Sequence, residues 1–413
     1  MDNIIKILVV SPDFPYPPID GHKVRIYNLF RQFPADYRFD FISFGEAALL
    51  PDSDTLKKKL GPCFDDVEIV SRNTLERIRS NGKLSSIKNI FFPYEASIGE
   101  PHISAVLAER IREKMASKHY DIVFLCGLYI SLHFDKSSKD IPCIVDIGDS
   151  MSLLAKSYFE TERNLIKKAK KYLNYVWADR YEKIHCSRPR NIIMISPVDA
   201  KKIEKNCPRS KIWVVPNGVD TEYFKSNNSK SEPKRSLLFT GVMDYPPNNG
   251  AMLYFIRKIF PLVRERVPDV TLTVAGRNPT QELQALAKLD RGIRLTGFVD
   301  DIRPCFDSSL VYVSPLLSGA GIKNKILEAW SMSMPVVATS VSCSGLEAKN
   351  GENILIADKS EDFSEAIFTL LSDRSLMKLI SQNGRKTVEQ SYSWEIRAKM
   401  LMDIFRDVLT NRS

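Results

Sequence analysis

Short runs of β-branched and aromatic residues alternate with longer amphipathic stretches along the whole chain, and they do so in two successive series. In the first, the runs at 6–11, 39–44, 122–125, 143–145 and 192–195 read as strands. Helical periods fall at 23–33, 103–118 and 151–185, the last as two helices. Strand, crossover helix, strand is the rhythm of a doubly wound parallel sheet. The second series has strands at 236–240, 271–275, 294–296, 310–313 and 336–339, with helices that include 250–267 and 280–289. The chain has 413 residues, 44% of them hydrophobic, which exceeds one ordinary core and suits two. An α/β protein is therefore expected, with one domain over 1–205 and a second over 206–390. The polar run 226–235 has the composition of a connector or surface loop. The segment 391–413, with Trp394, reads as an amphipathic helix with no strand after it, free to cross back onto the first domain.

Composition excludes some classes and leaves others open. Seven cysteines lie far apart with no Cys-x-x-Cys pair, so they read as reduced thiols of a cytosolic protein, and no metal site is expected. The first apolar run is broken by Lys6 and leads into a Pro-rich turn, which suits a strand better than a secretory signal. No eighteen consecutive apolar residues occur, so no membrane span is expected. A net charge of +9 suits nucleic acid, an anionic membrane face or a phosphorylated ligand equally. The run Lys167-Lys168-Ala169-Lys170-Lys171 reads as a solvated helix face, with membrane docking kept as a minor reading. Nucleic acid is disfavoured, because the basic residues are not interleaved with aromatics in any base-reading motif.

Two helix starts carry the wrong charge. A helix N-terminus is partially positive, so a cation in its first turn costs roughly 0.3–1 kcal/mol unless something negative arrives there. Asp20-Gly21-His22-Lys23-Val24-Arg25 opens one helix with a glycine and then cations, and Ser318-Gly319-Ala320-Gly321-Ile322-Lys323-Asn324-Lys325 opens another. Each resembles a phosphate cradle, in which glycines let backbone N–H groups approach an anion. Both lie beyond the carboxyl end of a strand, where open α/β sheets bind ligands. The first reads equally well as an ordinary turn, and neither matches a Walker or Gly-x-Gly-x-x-Gly pattern. The second says more, because Lys325 and Glu328 share a helix face. Glu328 stands among Ile326, Leu327, Ala329 and Trp330, where a carboxylate needs a partner. A cation near phosphates and a carboxylate one turn deeper fit a nucleoside diphosphate, whose ribose hydroxyls donate to the acid.

An ordered motif series then carries a resemblance. Pro216-Asn217-Gly218-Val219-Asp220, Phe239-Thr240-Gly241, Pro247-Asn248-Asn249, Val274-Ala275-Gly276, Thr296-Gly297-Phe298-Val299-Asp300-Asp301, Gly319-Ala320-Gly321, Lys325-Ile326-Leu327-Glu328-Ala329 and Pro335-Val336-Val337-Ala338-Thr339 follow one another as in family-4 glycosyltransferases. The chain resembles especially the branch associated with exopolysaccharide export. The match is close over 214–400 and looser before it, where Phe14-Pro15-Tyr16-Pro17-Pro18 with Gly21 is the clearest counterpart. The resemblance implies a GT-B architecture: two Rossmann-like domains facing a cleft, the first binding the acceptor, the second the nucleotide-sugar donor, and the final helix returning to the first. It implies that Glu328 holds the ribose and that the backbone near Phe298 and Val299 meets the base. Gly319, Ala320, Gly321 and Ile322 would line the phosphates and sugar, and Gly21 would approach the phosphates. Two departures matter. The carboxylate often found eight residues before the ribose acid is Ala320 here, and the usual Arg and Lys after Gly241 are replaced by Val242-Met243-Asp244. Lys325, with Lys323, would supply that charge.

The activity implied is transfer of a hexose-type sugar, with retention, to a saccharide or lipid-linked acceptor in polysaccharide or glycoconjugate synthesis. Loss of a nucleoside diphosphate builds charge on its β-phosphate, which fixed donors and cations can meet without a cofactor. Asp149, just beyond a strand, stands roughly where the family often has a His near the donor sugar. A helix N-cap is its alternative role. His22 alone reads as structural. Asp52-Ser53-Asp54 reads as turn chemistry and not as a metal motif. Acceptor recognition is expected in the first domain, notably 73–102 with Phe91-Phe92-Pro93-Tyr94. The location expected is cytoplasmic, with peripheral docking at the inner membrane face left open. A nucleotide-sugar epimerase and a catalytically silent nucleotide-sugar binding module remain alternatives.

Overall fold

The computed structural model describes residues 4–46, 52–74, 76–77, 102–134, 141–162, 164–226 and 235–411. Phe91-Phe92-Pro93-Tyr94 and most of the connector 226–235 lie outside them. The chain divides into two compact units, Met1–Pro216 with Glu395–Ser413, and Asn217–Trp394. Both divisions fall later along the chain than 205 and 390, the boundaries read from composition.

The first unit is built on a parallel sheet of β1 (Ile5–Ser11), β2 (Tyr37–Gly45), β3 (Phe64–Ser71), β4 (Ile122–Cys126), β5 (Cys143–Gly148), β6 (Asn191–Met194) and β7 (Lys211–Val214), in the order β3-β2-β1-β4-β5-β6-β7. Its middle strands are buried throughout, as suits a sheet covered on both faces: all of β4 and Ile7 to Ser11 of β1 are out of solvent. The edge strands β3 and β7 go beyond the sequence expectation. In β3 the acids Asp66 and Glu68 dilute the apolar period and pair with Lys114 of a neighbouring helix, which is how an edge strand is kept polar.

Helix α1 (Gly21–Phe30) follows β1. Helices α2 (Met151–Thr161) and α3 (Leu165–Cys186) follow β5 and pack as a pair. Ser150 caps α2 by accepting from the Leu153 N–H at 3.2 Å. Buried Glu182 of α3 then accepts from the Ser150 hydroxyl at 3.0 Å and the Ser152 N–H at 3.1 Å. Burial raises the Glu182 carboxyl above its ordinary value, despite those hydrogen bonds.

The second unit holds β8 (Ser236–Thr240), β9 (Thr271–Ala275), β10 (Ile293–Leu295), β11 (Val311–Ser314), β12 (Val336–Ala338) and β13 (Leu355–Ile356), in the order β10-β9-β8-β11-β12-β13. The two-residue β13 was too short to read from sequence. Successive strands step outward from β8 to β10, then the chain returns to the other side of β8 with β11. The topological switch point lies between β8 and β11. Helix α4 (Pro246–Tyr254) begins earlier than expected, and a π-turn at Phe255–Ile259 follows it, ending two residues before Pro261, which lacks the N–H for an i→i−4 bond. Helix α5 (Asn324–Ser331) follows β11, and α6 (Arg374–Ser391) packs on it. Trp330 of α5 is fully buried, its indole N–H donating to the Asn353 carbonyl at 2.9 Å. The last helix, α7 (Trp394–Thr410), lies in the first unit from Glu395 onward, where Phe405 meets Phe33 at 5.7 Å and Phe124 at 5.9 Å between ring centroids.

Candidate functional site

The loops after β8, β9, β10 and β11 gather at the carboxyl ends of those strands, and each contributes a group sequence reasoning singled out. Gly241, directly after β8, has φ +151° and abuts the next loop so closely that a Cβ on Gly276 would lie 1.8 Å from the Gly241 carbonyl oxygen. A Cβ on Gly241 itself would lie 2.7 Å from Asn248 Nδ2 and 3.1 Å from Lys325 Nζ. A side chain there would push into the Asn248 amide first and then crowd the Lys325 ammonium, and the positive φ itself favours glycine. That ammonium donates to Asn248 Oδ1 at 2.6 Å and stands 4.2 Å from the centroid of the buried Phe239 ring. Asn248 in turn donates to the Val242 carbonyl at 2.9 Å, so its amide orientation is set by backbone.

Helix α5 starts from Lys323 without a side-chain cap, and its Ile326 N–H donates to the Lys323 carbonyl at 2.9 Å. Gly319 and Gly321 have φ of +145° and +64°, which lets the glycine loop fold tightly over the helix start. Lys323 behaves differently from the expectation. It is buried, and its ammonium turns back to donate to the carbonyls of Ala320 at 2.6 Å and Gly321 at 2.7 Å. Its charge is absorbed in holding the loop. Ala320 is half-buried within that loop, and Ile322 is anchored in the core. Asn217, from the Pro-Asn-Gly motif, donates to Asn324 Oδ1 at 3.1 Å and so fixes the helix start from a third segment.

Glu328 and Lys325 each keep some exposed surface, yet their charged ends lie deep among protein atoms. Burial pulls the Lys325 ammonium down to about 7, opposed by Glu328 and reinforced by Lys323. Burial likewise pushes the Glu328 carboxyl up to about 7, against the attraction of Lys325. The two feel each other's charge without forming an ion pair. Among the described residues the Glu328 carboxylate accepts no hydrogen bond. Its charge is felt at Tyr223, whose hydroxyl donates to Asp301 at 3.4 Å, and at the buried Tyr312 of β11. In the loop after β10 Asp301 holds Arg303 through bonds of 2.8–3.1 Å, Phe298 is 69% exposed and Val299 is half-buried.

Sequence reasoning gave no role to Asn248, although it lay in a quoted motif, and overlooked Arg277. This arginine follows Gly276 at the end of β9, its carbonyl accepting from the Met243 N–H at 2.9 Å. It is half-buried, and its guanidinium pairs with no described carboxylate. The signal was present: a cation directly after the second strand's glycine, beside the loop that lacks its usual cations. Val242-Met243-Asp244 serves structure instead, with Met243 in the core.

The first unit's helix start is neutralised from within. Asp20 caps α1, accepting from the Lys23 N–H at 3.0 Å, and its other oxygen is 4.0 Å from the Lys23 ammonium. Arg25 is buried and ion-paired to Asp146 of β5 at 2.7 Å. The cations expected to await an anion therefore have partners, one of them from a distant strand. His22 lies 3.3 Å from the Ser11 hydroxyl, its pKa lowered chiefly by burial. Gly21 is exposed, and a Cβ there would meet nothing within 4 Å. Packing does not require that glycine. Asp149 is exposed and is not the helix cap, since Ser150 takes that role. Asp52 caps the helix Ser53–Leu60, accepting from the Thr55 N–H at 3.0 Å and its hydroxyl at 2.7 Å.

Comparison with known proteins finds two family models in succession, Glycosyltransferase Family 4 over residues 19–223 and Glycosyl transferases group 1 over 234–373. A Klebsiella pneumoniae protein described as an uncharacterized 44.6 kDa protein in the cps region is 24% identical over 97% of this chain and 99% of its own length. The phosphatidyl-myo-inositol mannosyltransferase of Mycobacterium leprae is 28% identical over 48% of this chain, a stretch spanning 54% of that enzyme. Among solved structures, Anabaena Alr3699/HepE in complex with UDP superposes with a TM-score of 0.67 at 13% identity, over 98% of this chain and all of that one. With both family models matched in order and two Rossmann-like parallel sheets, the chain is a family-4 glycosyltransferase of the GT-B fold class.

Proposed function

We propose that the chain moves a hexose-type sugar, with retention, from a nucleoside diphosphate to a saccharide or lipid-linked acceptor in polysaccharide or glycoconjugate synthesis. One observation carries the donor assignment: the Glu328 carboxylate is deeply set, accepts no hydrogen bond from the described protein, and stands one turn from an ammonium at an uncapped helix start. A carboxylate in that setting wants hydroxyl donors, and the ribose of a nucleotide supplies two. The diphosphate meets the Lys325 ammonium and the first N–H groups of α5. Phe298 and Val299 border the base, Gly319 to Ile322 border the phosphates and sugar, and Gly241 leaves Lys325 room to do its work. Arg277 supplies the second cation that Val242-Met243-Asp244 does not.

Charge grows on the β-phosphate as the anomeric bond breaks. Fixed cations and N–H groups stabilise that charge more in the transition state than in the ground state, which is the catalytic contribution asked of Lys325. The protein's own groups supply this, and the donor is the only small molecule invoked besides the acceptor. Gly21 and Asp149 take part in the same reaction on this reading. The second unit binds the donor and the first the acceptor. The Klebsiella relative is named for its cps region and the mannosyltransferase for a lipid acceptor, which supports the acceptor class. The UDP held by the Anabaena protein supports the donor class. Seven free cysteines, and no described helix long and apolar enough to cross a membrane, are compatible with work on the cytoplasmic side.

Turnover of a panel of nucleotide sugars, read as released nucleoside diphosphate with and without oligosaccharide or polyprenyl-linked acceptors, tests the proposal. Acceptor-dependent release supports it, and no turnover of any donor sinks the transferase assignment. Ala320, standing where the family often has a carboxylate, favours one other reading, a nucleotide-sugar binding protein without turnover. Tight donor binding with no release of diphosphate would mark that outcome.

A further inference from the structure

Asp149 is exposed, yet the backbone on both sides of it is pinned from below. Before it, the pairing of β5 with β6 slips between Asp146 and Gly148, two residues advancing on β5 for one on β6. Gly148 has φ +79°, a glycine's conformation, and its carbonyl accepts from the Ile195 N–H at 3.1 Å. After it, the Ser150 N–H donates to Asp199 Oδ1 at 2.9 Å and the Ser150 hydroxyl to Glu182 Oε1 at 3.0 Å. Glu182 also accepts from the Ser152 N–H at 3.1 Å and from the Ser152 hydroxyl. Asp199, in the first turn of the helix Pro197–Asn206, accepts from the Ser196 hydroxyl as well.

Glu182 and Asp199 are both buried, and neither pairs with a cation among the described residues. A buried carboxylate without a counter-charge is among the most unfavourable groups a fold can carry, and it persists only where donors surround it. Capping α2 does not call for one. The Ser150 side chain already accepts from the Leu153 N–H, as a serine cap does elsewhere without help. What the two acids add is a hold on Ser150 through its N–H and its hydroxyl at once, from two different helices. A turn held at so many points keeps one conformation, and so does the backbone of the residue within it. That residue is Asp149, at the carboxyl end of β5, the edge of an open α/β sheet where ligands bind.

We propose that Glu182 and Asp199 are positioning residues for the transfer reaction, fixing the Gly148–Ser150 turn so that Asp149 is presented in one place. On the reading that Asp149 takes part in that reaction, on which this rests, both acids act through it and neither meets substrate.

A double-mutant cycle tests it, with turnover of a panel of UDP- and GDP-linked hexoses read as released nucleoside diphosphate. Glu182→Ala is expected to lower kcat roughly tenfold to a hundredfold with little change in KM for the donor. Glu182→Gln keeps the volume and one acceptor oxygen, so it is expected to lose less, and it carries the cycle if Glu182→Ala does not fold. In an Asp149→Ala background either change at Glu182 is expected to cost at most about a further twofold, because nothing is left to position. Asp199→Asn is expected to behave as Glu182→Gln does. Nucleoside diphosphate affinity, a property of the second unit, is expected to stay unchanged in every variant. Equal losses in the wild-type and Asp149→Ala backgrounds overturn the proposal. So does full turnover by Glu182 variants whose melting temperature has fallen, which leaves the acids a structural role alone. Full turnover by Asp149→Ala overturns it too. Each of these failures leaves wild-type turnover standing, whereas a wild-type protein that turns over no donor is the failure of the transferase reading itself.

Discussion

Glu328 and Lys325 are each pressed by burial toward the form that cannot serve a donor, the acid toward neutrality and the ammonium toward deprotonation, both near pH 7. Donor binding as proposed needs the opposite forms. Affinity for an intact nucleotide sugar, whose diphosphate does not titrate near neutrality, is therefore expected to be bell-shaped. It falls below about pH 7 as Glu328 protonates and above about pH 7 as Lys325 loses its proton. Glu328→Gln is expected to flatten the acid limb and leave the alkaline one, as calorimetric titration across that range would show. At Gly21 a methyl group meets nothing, so Gly21→Ala is expected to leave unfolding free energy unchanged within about 0.5 kcal/mol. A fall in turnover at unchanged stability would then report that the backbone at Gly21 takes part in the reaction. The pairing of Lys325 and Glu328 on one face was legible from their spacing. The fates of Lys323 and Arg25 were not, because their partners are backbone carbonyls of a folded loop and a carboxylate 121 residues away.

At the scale of elements, the alternation of strand and helix was plain wherever strands were central and apolar throughout. It faded at the edges: β3 carries paired acids, β7 has four residues and β13 two, too few for a period to register. Helix α5 is fixed as a unit by the packing beneath it. A Cβ on Gly384 of α6 would lie 2.4 Å from Trp330 Cδ1, and the Trp330 indole is tied to Asn353 and cannot step aside. Gly384→Ala is expected to destabilise the second unit by about 1–3 kcal/mol. Denaturant unfolding followed by Trp fluorescence would register the shift.

The whole molecule is two Rossmann-like units, the first completed by the chain's own last helix. That return was suggested by a helix with no strand after it, though the rings it meets, Phe33 and Phe124, could not be named from sequence. Phe405→Ala is expected to cost the first unit about 3–5 kcal/mol, since the ring is fully buried, while leaving nucleotide affinity in the second unit unchanged. On the proposed function, the second unit's switch point holds a nucleoside diphosphate through Glu328 and Lys325. Calorimetric titration of uridine and guanosine diphosphate into wild-type protein and Glu328→Ala tests it directly. The expected result is binding of at least one nucleotide by the wild type, weakened roughly tenfold or more in the variant at an unchanged melting temperature. Equal affinity in the two proteins, or no binding by either, would contradict it.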